Sequence, residues 1–193
     1  MSTEASSLKP FEQVEWPVRT ERLLLRPATL DDAAALFAMR SQEDVSRWLT
    51  TWPQDPVVWA GMLAERLDTT IVVERDGTVI GELMLRVGDA WAQQEVAAQA
   101  RGVQAELGWV FDPAHAGHGY ATEAVRAAVG VCFGPLGLRR VEANCFADNA
   151  RSWRLMERIG MRREVHTRSE SLHRDGTWHD GLAYALLADE WPA

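Results

Sequence analysis

Apolar and polar positions along the chain change period several times, and each change marks an element. Residues 22–27 form a short apolar run that predicts a strand ended by Pro27. Thr29-Leu30-Asp31-Asp32 then has the spacing of a capping box, so a helix is expected over 33–39. Asp55 followed by Pro56 predicts a second helix over about 56–67. Residues 70–74 and 78–87 are β-rich and flank Asp76-Gly77, a hairpin signal. Residues 88–102, rich in Ala and Gln, are expected to be an insertion. A strand over 104–111, a glycine-containing turn and a helix over 122–133 follow. After the break at Gly134-Pro135-Leu136-Gly137 come a strand over 139–146 and an amphipathic helix over 149–159, with Gly160 as its stop. The last pair of strands, 163–169 and 178–187, is joined across Arg174-Asp175-Gly176-Thr177. This order of elements predicts a mixed α/β (α+β) fold with hairpins at both ends. No repeat or linker divides the pattern, so a flexible tail over 1–19 and one domain over 20–193 are expected.

Composition narrows the function classes. The 193 residues, 47% hydrophobic and 25% charged, suit an ordinary globular domain. No apolar run is long enough to span a bilayer, and the first 16 residues lack the apolar stretch of a secretory signal, so a cytoplasmic location is expected. A net charge of −8 argues against nucleic-acid binding, which needs a basic face. It is compatible with cationic substrates, and equally with a charge serving solubility alone. Cys132 and Cys145 are too few for a disulfide scaffold and are expected as reduced, buried thiols.

The chemistry concentrates at Ala116-Gly117-His118-Gly119-Tyr120-Ala121. A strand, a glycine turn and a helix in that order present unpaired N–H groups and a positive dipole end to an anion. Glycines at 117 and 119 allow close backbone approach. Two phosphate motifs are excluded. A Walker A motif would need Gly-Lys-Ser/Thr where Gly119-Tyr120-Ala121 stands, and a dinucleotide fingerprint would need Gly or Ala at Thr122. Alone, the turn is equally a tight strand-to-helix connection.

Its surroundings add more. The stretch from Ala105-Glu106-Leu107-Gly108-Trp109-Val110-Phe111-Asp112-Pro113 through Gly117-His118-Gly119-Tyr120-Ala121-Thr122-Glu123 resembles the cofactor core of the GNAT acetyltransferase superfamily. Asn149-Ala150-Arg151-Ser152 through Met156-Glu157-Arg158-Ile159-Gly160-Met161 is similar to its second signature, particularly in the RimJ/RimL branch that acetylates protein N-termini. Thr20-Glu21-Arg22-Leu23-Leu24-Leu25-Arg26-Pro27 and Arg174-Asp175-Gly176-Thr177-Trp178-His179-Asp180 are also similar to that branch. The resemblance implies a mostly antiparallel, twisted sheet of about seven strands flanked by helices, with CoA bound at a splayed central pair. It implies acetyl-CoA as cosubstrate, with Trp109, Val110 and Phe111 on its acetyl-pantetheine arm. The amides from Gly117 through His118, Gly119, Tyr120 and Ala121 to Thr122 would hold the pyrophosphate, and Asn149 would bind the arm. The family turn usually begins with Arg or Gln, and here Ala116 stands there, which leaves His118 or Arg154 to assist. No metal is expected.

Acyl transfer to an amine also needs a base and a polarised carbonyl. Glu106, on the strand that would present the acetyl group, is the preferred base, with Glu82 second; both are alternatively ion-paired strand glutamates. The Val110 amide is expected to stabilise the oxyanion. Many family enzymes place a tyrosine acid where this chain has Met156, so Ser152 is the remaining candidate, alternatively a helix-capping serine. Trp48, Trp52 and Trp59 are candidates for an acceptor wall. Asp180 and Tyr184 are expected near the acceptor groove or as packing residues. His166, His173 and His179 match no closed zinc pattern and are taken as surface histidines. The expected partners are acetyl-CoA and an amine acceptor, either a protein N-terminus or a small amine such as an aminoglycoside, polyamine or amino-acid derivative. A non-catalytic acyl-CoA-binding module is the alternative of a different class. A homodimer is one open option for assembly.

Overall fold

The computed structural model describes residues 9–192. Eight strands form one sheet in the order β1-β2-β3-β4-β5-β6-β8-β7. They are β1 (Val18–Arg19), β2 (Leu24–Pro27), β3 (Thr70–Arg75), β4 (Thr78–Gly88), β5 (Gln104–Phe111), β6 (Arg140–Phe146), β7 (Arg162–Leu172) and β8 (Trp178–Leu187). All neighbours are antiparallel except β5 and β6. The expected seven strands become eight through β1, which pairs with β2. Val18 and Arg19, placed by expectation in a tail over 1–19, lie in the sheet. Residues 10–13 make a 3-10 turn and Val14 is buried, while residues 1–8 lie outside the described residues.

Local chemistry accounts for the helix starts. The Asp32 carboxylate accepts the Thr29 N–H at 2.8 Å at the entry to α1 (Ala33–Arg40), and Arg26 holds the same carboxylate through two bonds of 2.8 Å. Asp55 accepts from the Val57 and Val58 amides, and Pro56 opens α3 (Pro56–Ala64). Between them lies a single turn, α2 (Glu43–Ser46), which no periodicity announces. Asp76 and Gly77 both take positive φ, 50° and 77°, as the two-residue hairpin between β3 and β4 requires.

Strand alternation sorts the core into two layers. Leu83, Leu85, Ala105, Leu107, Val141 and Ala143 point to one face, where they are buried with residues of α4 (Tyr120–Phe133) and α5 (Ala150–Arg158). Val72 and Val110 point to the other face and are buried with Leu36, Met39, Trp59 and Leu63 of α1 and α3. Glu82, Met84, Arg86, Glu106, Glu142 and Asn144 share that second face by register. Residues 88–102 close on themselves through Ala90 N–H to the Ala100 carbonyl (2.8 Å) and Gly102 N–H to Asp89 (2.8 Å). No helix among the described residues is long and apolar enough to cross a membrane.

Candidate active site

The parallel pair β5 and β6 is joined only over Gln104–Glu106 and Arg140–Glu142. Beyond that, β5 continues along β4 and β6 continues along β8, so the two strands part and leave a cleft. From Leu107 to Phe111, the β6-facing edge of β5 has no strand partner. Asp112 N–H donates to the Ile80 carbonyl on β4 (2.9 Å), and the two-residue alternation of the ladder then turns the main chain of Val110 toward β4 as well. Main-chain groups of Leu107, Trp109 and Phe111 face the cleft. Val110, expected to offer its amide to an acyl oxygen, therefore spends it inside the sheet. A ligand arm lying in the cleft would meet the polar groups of Trp109 and Phe111 instead. Gly81 makes room for this strand end: a Cβ there would stand 2.5 Å from Phe111 Cδ1.

The strand leads into the glycine turn. Asp112 caps a 3-10 turn by accepting Ala114 N–H at 3.0 Å, and Gly117 and Gly119 adopt φ of 82° and 80°. A Cβ at Gly117 would meet nothing within 4 Å, and one at Gly119 only the Arg22 guanidinium at 3.6 Å. The first bond of α4 runs from Glu123 N–H to the Gly119 carbonyl at 3.0 Å. Tyr120, Ala121 and Thr122 thus keep N–H groups with no acceptor inside the helix. Positive-φ glycines before exposed amides at a 14-residue helix make an anion cradle.

Two charged residues brace this cradle, and neither was singled out from the sequence. Glu123 accepts from the Thr20 hydroxyl (2.6 Å), the Arg22 amide (2.9 Å) and Arg22 Nε (2.7 Å). Arg22 Nη1 also donates to the His118 carbonyl at 2.9 Å. Burial raises the Glu123 carboxyl, but the bonds from Thr20 and Arg22 outweigh it and hold the group below its ordinary range. Because these partners stand 101 to 103 positions apart, no local pattern shows them. The Arg22 and Arg75 guanidinium groups lie 4.8 and 4.9 Å from the Tyr120 ring centroid. On the other flank Arg158 donates to Thr122 Oγ1 at 3.2 Å, whereas the Arg154 guanidinium stacks on Trp153. Arg158, rather than Arg154, is the cation of α5 in contact with the turn. Asn149 caps α5 by accepting Ser152 N–H at 3.3 Å, and its amide nitrogen has no hydrogen-bond partner among the described residues.

On the floor of the cleft the two candidate bases differ sharply. Glu82 is 3% exposed and paired with Arg40, itself lying 5.1 Å from the Trp59 ring centroid. Arg66 stacks on the same ring at 4.6 Å, and burial, with Arg40 beside it, pushes its pKa down. This sandwich ties Glu82 to the fold. The Glu106 side chain is 33% exposed, meets Arg86 at 3.3 Å, and takes a long 3.5 Å contact from Asn144 across the splay. Of the two candidate bases, Glu106 is the accessible one.

Several expectations move. Met156 is buried in the main core. Ser152 lies in the first turn of α5, beside Cys145, and its N–H is taken by the Asn149 cap. Burial pushes Cys145 up to about 11 and Cys132 to about 12, so both remain thiols. Tyr184 packs against α5, donating to Glu157 at 2.9 Å, and does not face the cleft; burial and Glu157 raise its pKa to about 12. Asp180 accepts from Ser169 N–H and pairs with His166 across the terminal hairpin. Trp59 is fully buried and is core rather than acceptor wall. Trp52 is 38% exposed and bonded to the Ser41 carbonyl. Trp48 is half-buried 5.6 Å from Phe146, at the far end of β6 where the cleft is widest.

An open strand edge beside a helix N-terminus with unpaired amides has the shape to take a long, phosphate-bearing acyl carrier, and comparison with known proteins identifies the family. Residues 22–162 match the family model of the acetyltransferase (GNAT) domain. The chain belongs to the GNAT acetyltransferases. The uncharacterized N-acetyltransferase YnaD of Bacillus subtilis is 30% identical over 177 residues, covering 90% of this chain and 98% of that protein. A GNAT-family acetyltransferase structure from Bacillus anthracis superimposes with a TM-score of 0.77 at 28% identity, covering 90% of this chain and 99% of that one. Mycobacterium smegmatis RimJ in complex with CoA-disulfide gives 0.71 at 27% identity, covering 89% and 84%. This GNAT chain is an acetyl-CoA-dependent N-acyltransferase.

Proposed function

We propose that this acetyltransferase acts on the α-amine of a protein or peptide N-terminus, in the manner of the RimJ/RimL branch. The observation that carries this reading is the state of the cleft carboxylates. Glu106 is accessible at the cleft, whereas Glu82 is buried and paired with Arg40. From reference pKa values of about 7.8 and 10.4, removing the proton at pH 7 costs roughly 1.1 kcal/mol for an α-amine and 4.6 kcal/mol for a lysine. A carboxylate within reach of the amine, directly or through one water, suffices for the first. The structural likeness to a RimJ at 27% identity supports the same branch.

In this reading the exposed amides of residues 117–122 hold the pyrophosphate, with Arg158 supplying the positive charge that Ala116 lacks. Trp109 and Phe111 pair with the arm through the open edge of β5, and Asn149 binds it through its free amide nitrogen. Acetyl-CoA, when bound, supplies an activated acyl carbon and a thiolate leaving group. Glu106 takes the proton of the attacking amine. Ser152 is the candidate acid for the departing sulfur, and a thiolate of pKa near 8.5 leaves without severe penalty even unassisted.

Initial rates with acetyl-CoA across three substrate sets test this: peptides with a free α-amine and blocked lysines, peptides blocked the other way, and small amines. The expected result is a preference of at least tenfold in kcat/KM for the free α-amine. Turnover confined to aminoglycosides, polyamines or amino-acid derivatives would remove the protein substrate. Binding without turnover would leave only an acyl-CoA-binding module.

A further inference from the structure

The tip of the β7–β8 hairpin carries a cluster that acetyl transfer does not use. One ring nitrogen each of His173 and His179 and a carboxylate oxygen of Asp175 lie within 4.8 Å of one another. The hydrogen-bond partners of the two rings decide what the facing atoms are. His173 Nε2 stands 2.8 Å from the Arg47 carbonyl, which can only accept, so Nε2 carries the hydrogen. His173 Nδ1 is then a lone pair in the neutral ring. It accepts the Asp175 N–H at 3.4 Å and sits 3.0 Å from Asp175 Oδ2. His179 repeats the arrangement. Its Nδ1 donates to the Asp148 carboxylate at 2.6 Å, leaving Nε2 as a lone pair 2.7 Å from Thr177 Oγ1. The single hydroxyl hydrogen of Thr177 faces both that lone pair and Asp175 Oδ1, which stands at 2.6 Å and also accepts the Thr177 N–H at 2.9 Å.

Ligand atoms of two imidazoles and a carboxylate therefore converge on one point, and the hydrogens nearest to them are those of the Asp175 N–H, 3.4 Å from His173 Nδ1, and the Thr177 hydroxyl. Each imidazole is oriented from behind by an acceptor, as metal-bound histidines are. We propose that His173 Nδ1, Asp175 Oδ2 and His179 Nε2 bind a divalent transition-metal ion of the zinc type, with the fourth position open to solvent. A tetrahedral ion with bonds of about 2.0 Å spaces its ligands by about 3.3 Å, so closure from the observed separations is small. Charge favours the ion. Asp175 and Asp148 supply two negative charges, and the Arg174 guanidinium is turned away onto the Ser46 and Leu49 carbonyls at 2.8 and 2.6 Å.

The site has a structural consequence. His173 is fastened to the Arg47 carbonyl, and both rings pack on Trp48 and Phe146 at 5.3 to 6.1 Å. A bound ion fixes the hairpin tip against the segment after α2, and with it the aromatic wall at the wide end of the cleft.

Cobalt(II) titration of tag-free, chelator-stripped protein tests the site, because tetrahedral cobalt gives intense visible d–d bands. The expected result is saturation at one equivalent. Asp175→Asn and His179→Gln each weaken binding at least tenfold, and Asp148→Asn weakens it about 10- to 100-fold through the orienting bond. His166→Asn leaves it unchanged, since the His166–Asp180 pair has no third ligand. Zinc at about 100 times Kd raises the Tm of the parent by roughly 5–10 °C and that of Asp175→Asn much less. Asp175 is 53% exposed at its side chain, so its isosteric variant folds, and its metal-free melting curve verifies this. Absence of a saturable band, or a band unchanged in Asp175→Asn and His179→Gln, overturns the proposal.

Discussion

Gly119→Val separates the fold from the site more cleanly than any other single change. At φ 80°, residue 119 lies where a β-branched side chain is strained, and left-handed backbone costs roughly 1–2 kcal/mol for a residue with a Cβ. Nothing else opposes the substitution in the free protein, because the added Cβ meets only the end of the flexible Arg22 side chain at 3.6 Å. The stability loss is thus backbone strain alone. At roughly 2–4 °C per kcal/mol for a chain of this size, Tm falls by about 2–8 °C and the protein stays folded. Affinity for acetyl-CoA responds differently. A branched side chain beside the free amides of Tyr120, Ala121 and Thr122 holds the phosphates off, so Kd rises at least tenfold, or about 1.4 kcal/mol. Gly160→Ala is the control: φ is 95°, nothing lies within 4 Å of the new Cβ, and the position ends α5. It carries a comparable strain with no change in Kd. Isothermal titration of both variants with acetyl-CoA, alongside melting curves, reads the two effects apart. A folded Gly119→Val protein with parental affinity would refute the assignment of the cradle.

Other outcomes follow from the same geometry. Glu106→Gln lowers kcat about 10²-fold and flattens the pH–rate profile while acetyl-CoA affinity holds, as stopped assays from pH 6 to 9 will show. Arg40→Ala strands the buried Glu82 carboxylate and costs about 3–5 kcal/mol, seen as a denaturant midpoint shift at constant m. Arg40→Ala with Glu82→Gln recovers part of that loss. Asp32 and Glu123 both have depressed folded pKa values, so their stabilisation is complete above the ordinary values of 3.8 and 4.5 and disappears as pH falls through the folded ones. Glu123→Gln should therefore melt lower than the parent at pH 7 and converge with it in strong acid; parallel curves at all pH values would contradict the bracing role.

Which features the sequence made legible depends on how local their causes are. The β3–β4 hairpin, the Asp55-Pro56 helix start and the 104–111 strand rest on neighbouring residues, and all three stand where the pattern placed them. The two-residue β1 and four-residue α2 are too short to carry a period, and tertiary pairing makes them. Glycines 117 and 119 declared the cradle, but the Arg22–Glu123 brace spans a hundred residues. The direction of the Val110 amide follows only from the β4 register, which sequence alternation leaves undefined. Trp59 and Tyr184 look like pocket aromatics in one dimension, and the packing of α3 and α5 buries both. His173 and His179 are spaced for no zinc motif, yet the hairpin turn and the Arg47 carbonyl bring their lone pairs together.

The activity proposed for this GNAT chain is transfer of an acetyl group from acetyl-CoA onto an N-terminal α-amine. Tandem mass spectrometry of a peptide bearing both a free N-terminus and an internal lysine, after incubation with enzyme and acetyl-CoA, tests it directly. The account predicts one acetyl group, on the first residue, lost when Glu106 is replaced by Gln. Acetylation of the lysine in its place, or an unmodified peptide beside an acetylated small amine, would contradict it.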